Sequence, residues 1–129
     1  METKSFRVVY AEDDACVRAG VAQMLVAHGL AVHECSNGDE AAQLCSVFKP
    51  DAVLLALSMP DVDGCEAARR IRSQGYANRL VALTGRGEAA LEAAARAGFD
   101  EFVRKPSSIT TLLGALGWRH AAVRAETGT

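Results

Sequence analysis

The stretch Val53-Leu54-Leu55-Ala56-Leu57-Ser58-Met59-Pro60-Asp61-Val62-Asp63-Gly64 decides the fold. An apolar run of strand length stops at a proline, and two aspartates and a glycine follow. The pattern predicts a buried strand feeding a loop, with a helix starting near Asp63. In an open parallel sheet such a loop lies at the carboxyl edge of the strands, where ligands bind.

Working outward, Phe6 to Ala11 reads as a first strand that ends abruptly in Glu12-Asp13-Asp14. Three acids in a row repel one another, so this loop either faces water or holds a cation. A helix follows, with Val17, Val21, Met24, Leu25 and His28 on one stripe and Gly29 as its stop. Leu30 to Cys35 reads as a second strand and Ser36-Asn37-Gly38 as a turn that caps the next helix, whose inward face carries Ala41, Leu44, Cys45 and Phe48. Pro50-Asp51 ends that helix, and the strand Ala52 to Leu57 follows. From Asp63 a third helix turns Cys65, Ala68 and Ile71 inward and breaks at Gly75.

Leu80 to Leu83 is a fourth strand, leaving Thr84-Gly85-Arg86-Gly87 at its carboxyl end. Glu88 to Ala97 is alanine-rich and helical, with Leu91, Ala94 and Ala95 on one face. Asp100 to Val103 is a short fifth strand, followed by Arg104-Lys105-Pro106. Ser107 or Ser108 caps a last helix with Ile109, Leu112, Leu113 and Leu116 inward. Five strands alternating with five helices imply a doubly wound parallel sheet covered on both faces. One domain over residues 1–117 and a frayed tail over 118–129 are expected.

The chain has 129 residues, 50% of them hydrophobic and 23% charged, as in an ordinary globular domain with a real core. Fourteen Lys and Arg against sixteen Asp and Glu give a net charge of −2, which argues against a nucleic-acid partner. The Arg69, Arg70, Arg72 cluster reads as a solvated helix face. Cys16, Cys35, Cys45 and Cys65 lack the spacing of a zinc or redox motif; three fall on apolar positions, so buried free thiols in a reducing compartment are expected. The start Met1-Glu2-Thr3-Lys4-Ser5 shows no signal peptide and no apolar run approaches membrane-spanning length, so a cytoplasmic protein without a membrane partner is expected.

In a parallel sheet, the ends of strands one, three, four and five present Glu12-Asp13, Ala56 with Ser58, Thr84, and Lys105 on one edge. Adjacent carboxylates suit magnesium, while a hydroxyl and an ammonium neutralise and orient phosphoryl oxygens. The chemistry would be phosphoryl transfer to a carboxylate, with every role present except the nucleophile. Singly, each feature has a plainer structural reading: a solvated acidic helix start, a strand-end hydroxyl, a surface lysine. Phe102 alone reads as core, and Cys65, Met24 and His28 as packing or surface residues.

Taken in order from Phe6 to Leu116, these motifs resemble the receiver domain of response regulators. The resemblance implies a flavodoxin-like fold with strand order 2-1-3-4-5. It implies that Ala56 occupies the position of the phosphoacceptor aspartate, and that Glu12, Asp13 and the backbone carbonyl of Ser58 belong to a magnesium site. Thr84 and Lys105 would stabilise the phosphoryl group, with Thr84 and Phe102 as switch residues. Gly85 and Arg86 would tune access and dephosphorylation.

Alanine has no carboxylate to accept a phosphoryl group, so the usual aspartyl phosphate cannot form. Loss of that carboxylate is also expected to weaken magnesium binding. Asp61 and Asp63 lie too far along the loop to substitute. The expected function is therefore a two-component or phosphorelay receiver locked in its unphosphorylated form, not an enzyme. Its partner would be a histidine kinase or histidine phosphotransfer protein, and its output face the fourth helix, fifth strand and fifth helix around Phe102. No output domain follows, which suggests a stand-alone regulator or a fragment of a hybrid kinase, as a monomer or weak dimer.

Two origins for Ala56 stay open. Retention of Glu12, Asp13, Thr84 and Lys105 favours a recent or engineered exchange; the alternative is a natural pseudo-receiver acting as a phosphorylation-independent interaction module. A small hydrolase or nucleotide-binding enzyme is disfavoured by the lack of a dinucleotide fingerprint, a P-loop or a nucleophile elbow.

Overall fold

The computed structural model describes residues 5–85, 93, 96–105 and 108–118. Its elements run β1 (Arg7–Ala11), α1 (Ala15–Ala27), β2 (Ala31–Cys35), α2 (Gly38–Phe48), β3 (Ala52–Ala56), α3 (Gly64–Ser73), β4 (Arg79–Thr84), β5 (Glu101–Arg104) and α4 (Ile109–Leu116). The five strands form one parallel sheet in the order β2-β1-β3-β4-β5. Parallel neighbours need a crossover, and the helices that supply it cover both faces.

The alternation of each strand divides the core in two. Val9, Ala11, Val53, Leu55, Leu80 and Ala82 face α2 and α3, while Val8, Tyr10, Leu54, Val81 and Leu83 face α1 and α4. Every residue of central β3 is buried. Alanines make up much of the first layer, with Ala41, Ala42, Ala67 and Ala68 buried on α2 and α3, so these helices approach the sheet and each other closely. A Cβ on Gly38 would come within 2.8 Å of Val62 Cγ1 and 2.9 Å of Ala67 Cβ.

Side-chain caps start the helices: Asp14 for α1, Asn37 for α2, Asp63 for α3 and Ser108 for α4 each accept backbone N–H groups of the first turn. The expected caps near Asn37 and Asp63 are thus in place, and Ser108, not Ser107, caps the last helix. Ser107 itself lies outside the described residues. The helix expected over 88–97 also lies outside them, apart from Ala93, Arg96 and Ala97, and so does the tail after Trp118. Among the described residues no helix is long and apolar enough to cross a membrane.

Three details depart from expectation. On α1, Ala22 and Leu25 are the buried residues, while Met24 and His28 are exposed. The contact stripe is narrower than the apolar spacing suggests, and His28, at the C-cap, sits beyond it with its ring edge-on to Trp118. Arg72 is not a solvated residue: it donates to the carbonyls of Gly98, Tyr76 and Asn78 and pairs with Asp100 at 2.9 Å. It thereby ties the end of α3 to the starts of β4 and β5. Phe102, read singly as core, is 39% exposed because β5 is an edge strand; its ring lies 6.1 Å from that of Phe99.

All four cysteines are free, with Cys16 exposed, Cys35 and Cys45 buried and Cys65 half-buried. Burial pushes the Cys35 and Cys45 thiols up to about 12 from 9.0. A thiol reagent at mildly alkaline pH should therefore label Cys16 quickly and leave Cys35 and Cys45 unmodified until the protein unfolds. Above pH 9.0 the unfolded chain releases thiol protons that the folded chain still holds, so stability should fall between 9.0 and about 12. Chemical denaturation across that range checks the sign; a midpoint that rises with pH would contradict it. Gly64 carries a second prediction. A Cβ there would overlap the Ala56 carbonyl oxygen and approach Leu57 Cα to 2.8 Å. Both obstacles are backbone and cannot swing aside. Gly64→Ala should cost about 1–3 kcal/mol, read as a lowered denaturation midpoint.

Candidate functional site

The site is assembled where the carboxyl ends of β1, β3, β4 and β5 meet. β1 delivers Glu12, whose backbone N–H donates to the Cys35 carbonyl at 3.1 Å, continuing the pairing with β2. The Glu12 carbonyl accepts from Arg18 Nη1 at 2.7 Å, which fixes the backbone from the other side. The side chain then turns inward and is 1% exposed as a residue. Oε1 accepts from Lys105 Nζ at 2.7 Å and Oε2 from the Asp14 N–H at 3.2 Å.

The acidic run therefore splits into three environments. Glu12 is buried and paired, Asp13 is exposed to water, and Asp14 accepts from the N–H groups of Cys16 and Val17 as the cap of α1. A carboxylate capping a helix N-terminus is favoured by the orphan N–H groups and the dipole.

β3 ends at Ala56, whose methyl is buried. The next residue, Leu57, donates its N–H to the Leu83 carbonyl at 3.3 Å and accepts from the Gly64 N–H at 3.0 Å. The loop between them is thus tied back to the strand end. Asp61 adopts the left-handed region with φ 63°, and Asp63 Oδ1 accepts from the Glu66 N–H at 2.9 Å as the cap of α3. β4 ends at Thr84, which is buried, and its carbonyl accepts from the Lys105 N–H at 2.7 Å. That bond places the lysine directly alongside the threonine.

A cavity of about 450 Å³ opens at this edge, lined by Ser58, Asp63, Cys65, Thr84 and Lys105 together with Leu57 and Leu83. Ala56 is flanked by the last two: Leu57 follows it in the chain and Leu83 is its partner across the ladder. Ser58, Thr84 and Lys105 are thus brought to one cavity, and Glu12 joins them through Lys105. Asp13 and Phe102 do not line it, and Arg86, Gly87 and Pro106 lie outside the described residues.

Two residues escaped the reading of the sequence. Cys65 lines the cavity, half-buried, its thiol raised first by burial and then by the charge of Asp63. The helical pattern placed it on the inward face but could not show that this face ends at the cavity. Arg18 holds the Glu12 carbonyl and pairs with Glu34 at 3.7 Å. No local signal marks that role, which depends on β2 lying beside β1.

The oxygen donors that a divalent cation would meet at this edge are few. Both oxygens of Glu12 are engaged, no carboxylate stands at position 56, and Asp13 is the one remaining acid of the expected donor set. Among the described residues no group of three or more His, Cys, Asp and Glu is placed to hold a metal ion. Magnesium takes one or two carboxylates and keeps several waters, so Asp13 and the Ser58 carbonyl would form a minimal set.

Comparison with known proteins agrees with the fold. The family model of the response regulator receiver domain matches residues 8–117. The transcriptional regulatory protein PdtaR of Mycobacterium tuberculosis is 37% identical over 111 residues, covering 85% of this chain and 54% of that protein. The response regulator MprA of Mycolicibacterium vanbaalenii is 33% identical over 85% of this chain and 48% of its own length. The chain thus spans about half the length of these relatives. Among solved structures, the receiver domain of the sensor histidine kinase PA1611 from Pseudomonas aeruginosa, with a magnesium ion coordinated in its active-site cleft, superposes with a TM-score of 0.82 at 25% identity, covering 88% of this chain and 95% of that one.

Proposed function

The chain belongs to the response regulator receiver domain family, and from that membership we propose that it is a two-component or phosphorelay receiver that cannot be phosphorylated at the usual position. The observation that carries the proposal is the place of Ala56. It ends the central strand, buried, with Leu57, Ser58, Thr84 and Lys105 gathered at the cavity beside it. An acceptor must offer a nucleophilic oxygen at that strand end, and a methyl offers none.

The remaining residues suit the reaction that the alanine blocks. In an intact receiver a phosphoryl group would pass from a histidine of a kinase or phosphotransfer protein to the carboxylate. The P–N bond would break, the P–O bond would form, and the histidine would be left with its electron pair. Thr84 would donate a hydrogen bond to a phosphoryl oxygen, and Lys105 would neutralise charge as it develops. Magnesium would add charge neutralisation in a receiver with its full set of carboxylates. Thr84 and Phe102 are the proposed switch pair, and the exposed ring of Phe102 on edge strand β5 belongs to the proposed output face with α4. The names of PdtaR and MprA support a regulatory role, and the rest of such a protein would lie outside this chain.

A second reading rests on the Glu12–Lys105 pair, which satisfies both charges with no phosphoryl group present. It makes the chain a fixed interaction module whose partner binds irrespective of phosphodonors.

The test is intact mass after incubation with magnesium and acetyl phosphate. Ala56→Asp should gain one phosphoryl group while the unaltered protein gains none. If neither gains mass, the blocked-receiver reading fails and the interaction module takes its place.

A further inference from the structure

The disagreement between the family's magnesium site and this donor set points to what occupies its electrostatic role here. We propose that Lys105 is the built-in counter-cation of this site, its ammonium holding Glu12 in place of a divalent ion, so that the edge keeps one closed arrangement independent of magnesium. The proposal rests on the reading of Ala56 as the missing acceptor.

Four observations carry it. The Glu12 side chain is only 2% exposed while that of Lys105 is 30% exposed, and they meet at 2.7 Å. A carboxylate so buried needs a partner, because an isolated one would be strongly disfavoured. Both residues are anchored through their backbones: Lys105 N–H to the Thr84 carbonyl, Glu12 N–H to the Cys35 carbonyl and Glu12 carbonyl to Arg18. The fold therefore fixes where the two side chains start, and pairing costs only their rotamer freedom.

The second Glu12 oxygen also accepts, from the Asp14 N–H, so each oxygen already carries one hydrogen bond before any cation binds. Finally, the charges favour an ammonium over a divalent ion. With Asp14 and Asp63 engaged as helix caps and Arg18 paired with Glu34, Glu12, Asp13 and Lys105 leave one net negative charge among the remaining groups. A dication would have to displace Lys105 or sit beside it against like-charge repulsion. An aspartate at position 56 would add the negative charge and the oxygen ligands that tip this balance.

The experiment is thermal unfolding with chelator and with millimolar magnesium, on the unaltered protein and on Lys105→Met, Glu12→Gln/Lys105→Met and Ala56→Asp. The unaltered protein should melt at the same temperature in both conditions. Lys105→Met leaves Glu12 buried without its counter-charge and should melt lower in chelator by roughly 5–10 °C. Magnesium should restore part of that loss, because Glu12 and Asp13 are then free to hold it. The double variant lacks the buried charge and should recover much of the loss without responding to magnesium.

Magnesium raising the melting temperature of the unaltered protein as much as that of Ala56→Asp would overturn the proposal. So would a Lys105→Met protein as stable as the original. Should Lys105→Met fail to fold, refolding on Glu12→Gln addition supports the proposal and continued failure counts against it. Phosphoryl uptake by Ala56→Asp tests the acceptor reading separately, so that reading can stand while the counter-cation fails.

Discussion

The ion pair between Glu12 and Lys105 joins two residues 93 positions apart, from strands that do not touch each other in the sheet. β3 and β4 lie between β1 and β5, so the pair bridges the carboxyl edge across the strand end that carries Ala56. It can form only because every strand runs the same way and every end arrives at one edge. The net gain from such a pair is modest, since desolvation offsets most of the Coulomb attraction. Losing one partner is another matter, costing about 3–5 kcal/mol in a fully buried pair. Lys105 keeps part of its side chain in water, which places this pair toward the lower end.

The same edge carries the helix starts. Asp14, Asn37, Asp63 and Ser108 all spend their side chains on orphan N–H groups at the entrance of a helix. In a parallel sheet, strand ends and helix N-termini share one rim, so acids there are divided between capping and chemistry. Of Glu12, Asp13 and Asp14, one is committed to Lys105, one to α1 and one to water. Gly64 has a comparable double duty. Its missing side chain lets α3 begin against the Ala56 carbonyl, and its N–H closes the loop onto Leu57.

Much of the fold was legible in the sequence because the signals were local. The unbroken apolar run over residues 52–57 marks a strand covered on both faces, and Asn37 and Asp63 announce their helices by type and position. The strand order was not legible that way; it came from the family resemblance, and the observed order agrees with it. Periodicity overstated the buried stripe of α1, since Met24 and His28 fit the spacing yet lie past the edge of the contact. Phe102 had an inward-looking composition but sits on an edge strand, a fact of topology rather than of its neighbours. For the site, residue types and strand-end positions placed Ser58, Thr84 and Lys105 at one sheet edge, and the three line one cavity there. What they could not show was that Glu12 faces a lysine rather than solvent or a cation, because that contact spans most of the chain.

The measurement that bears most directly on this account is a double-mutant cycle on Glu12 and Lys105. Urea unfolding of the unaltered protein, Glu12→Gln, Lys105→Met and the double variant isolates the pairwise term. An internal ion pair that holds the site predicts a favourable coupling of about 1–3 kcal/mol. A coupling near zero would mean that the two side chains meet without holding anything, and the closed edge would need another cause.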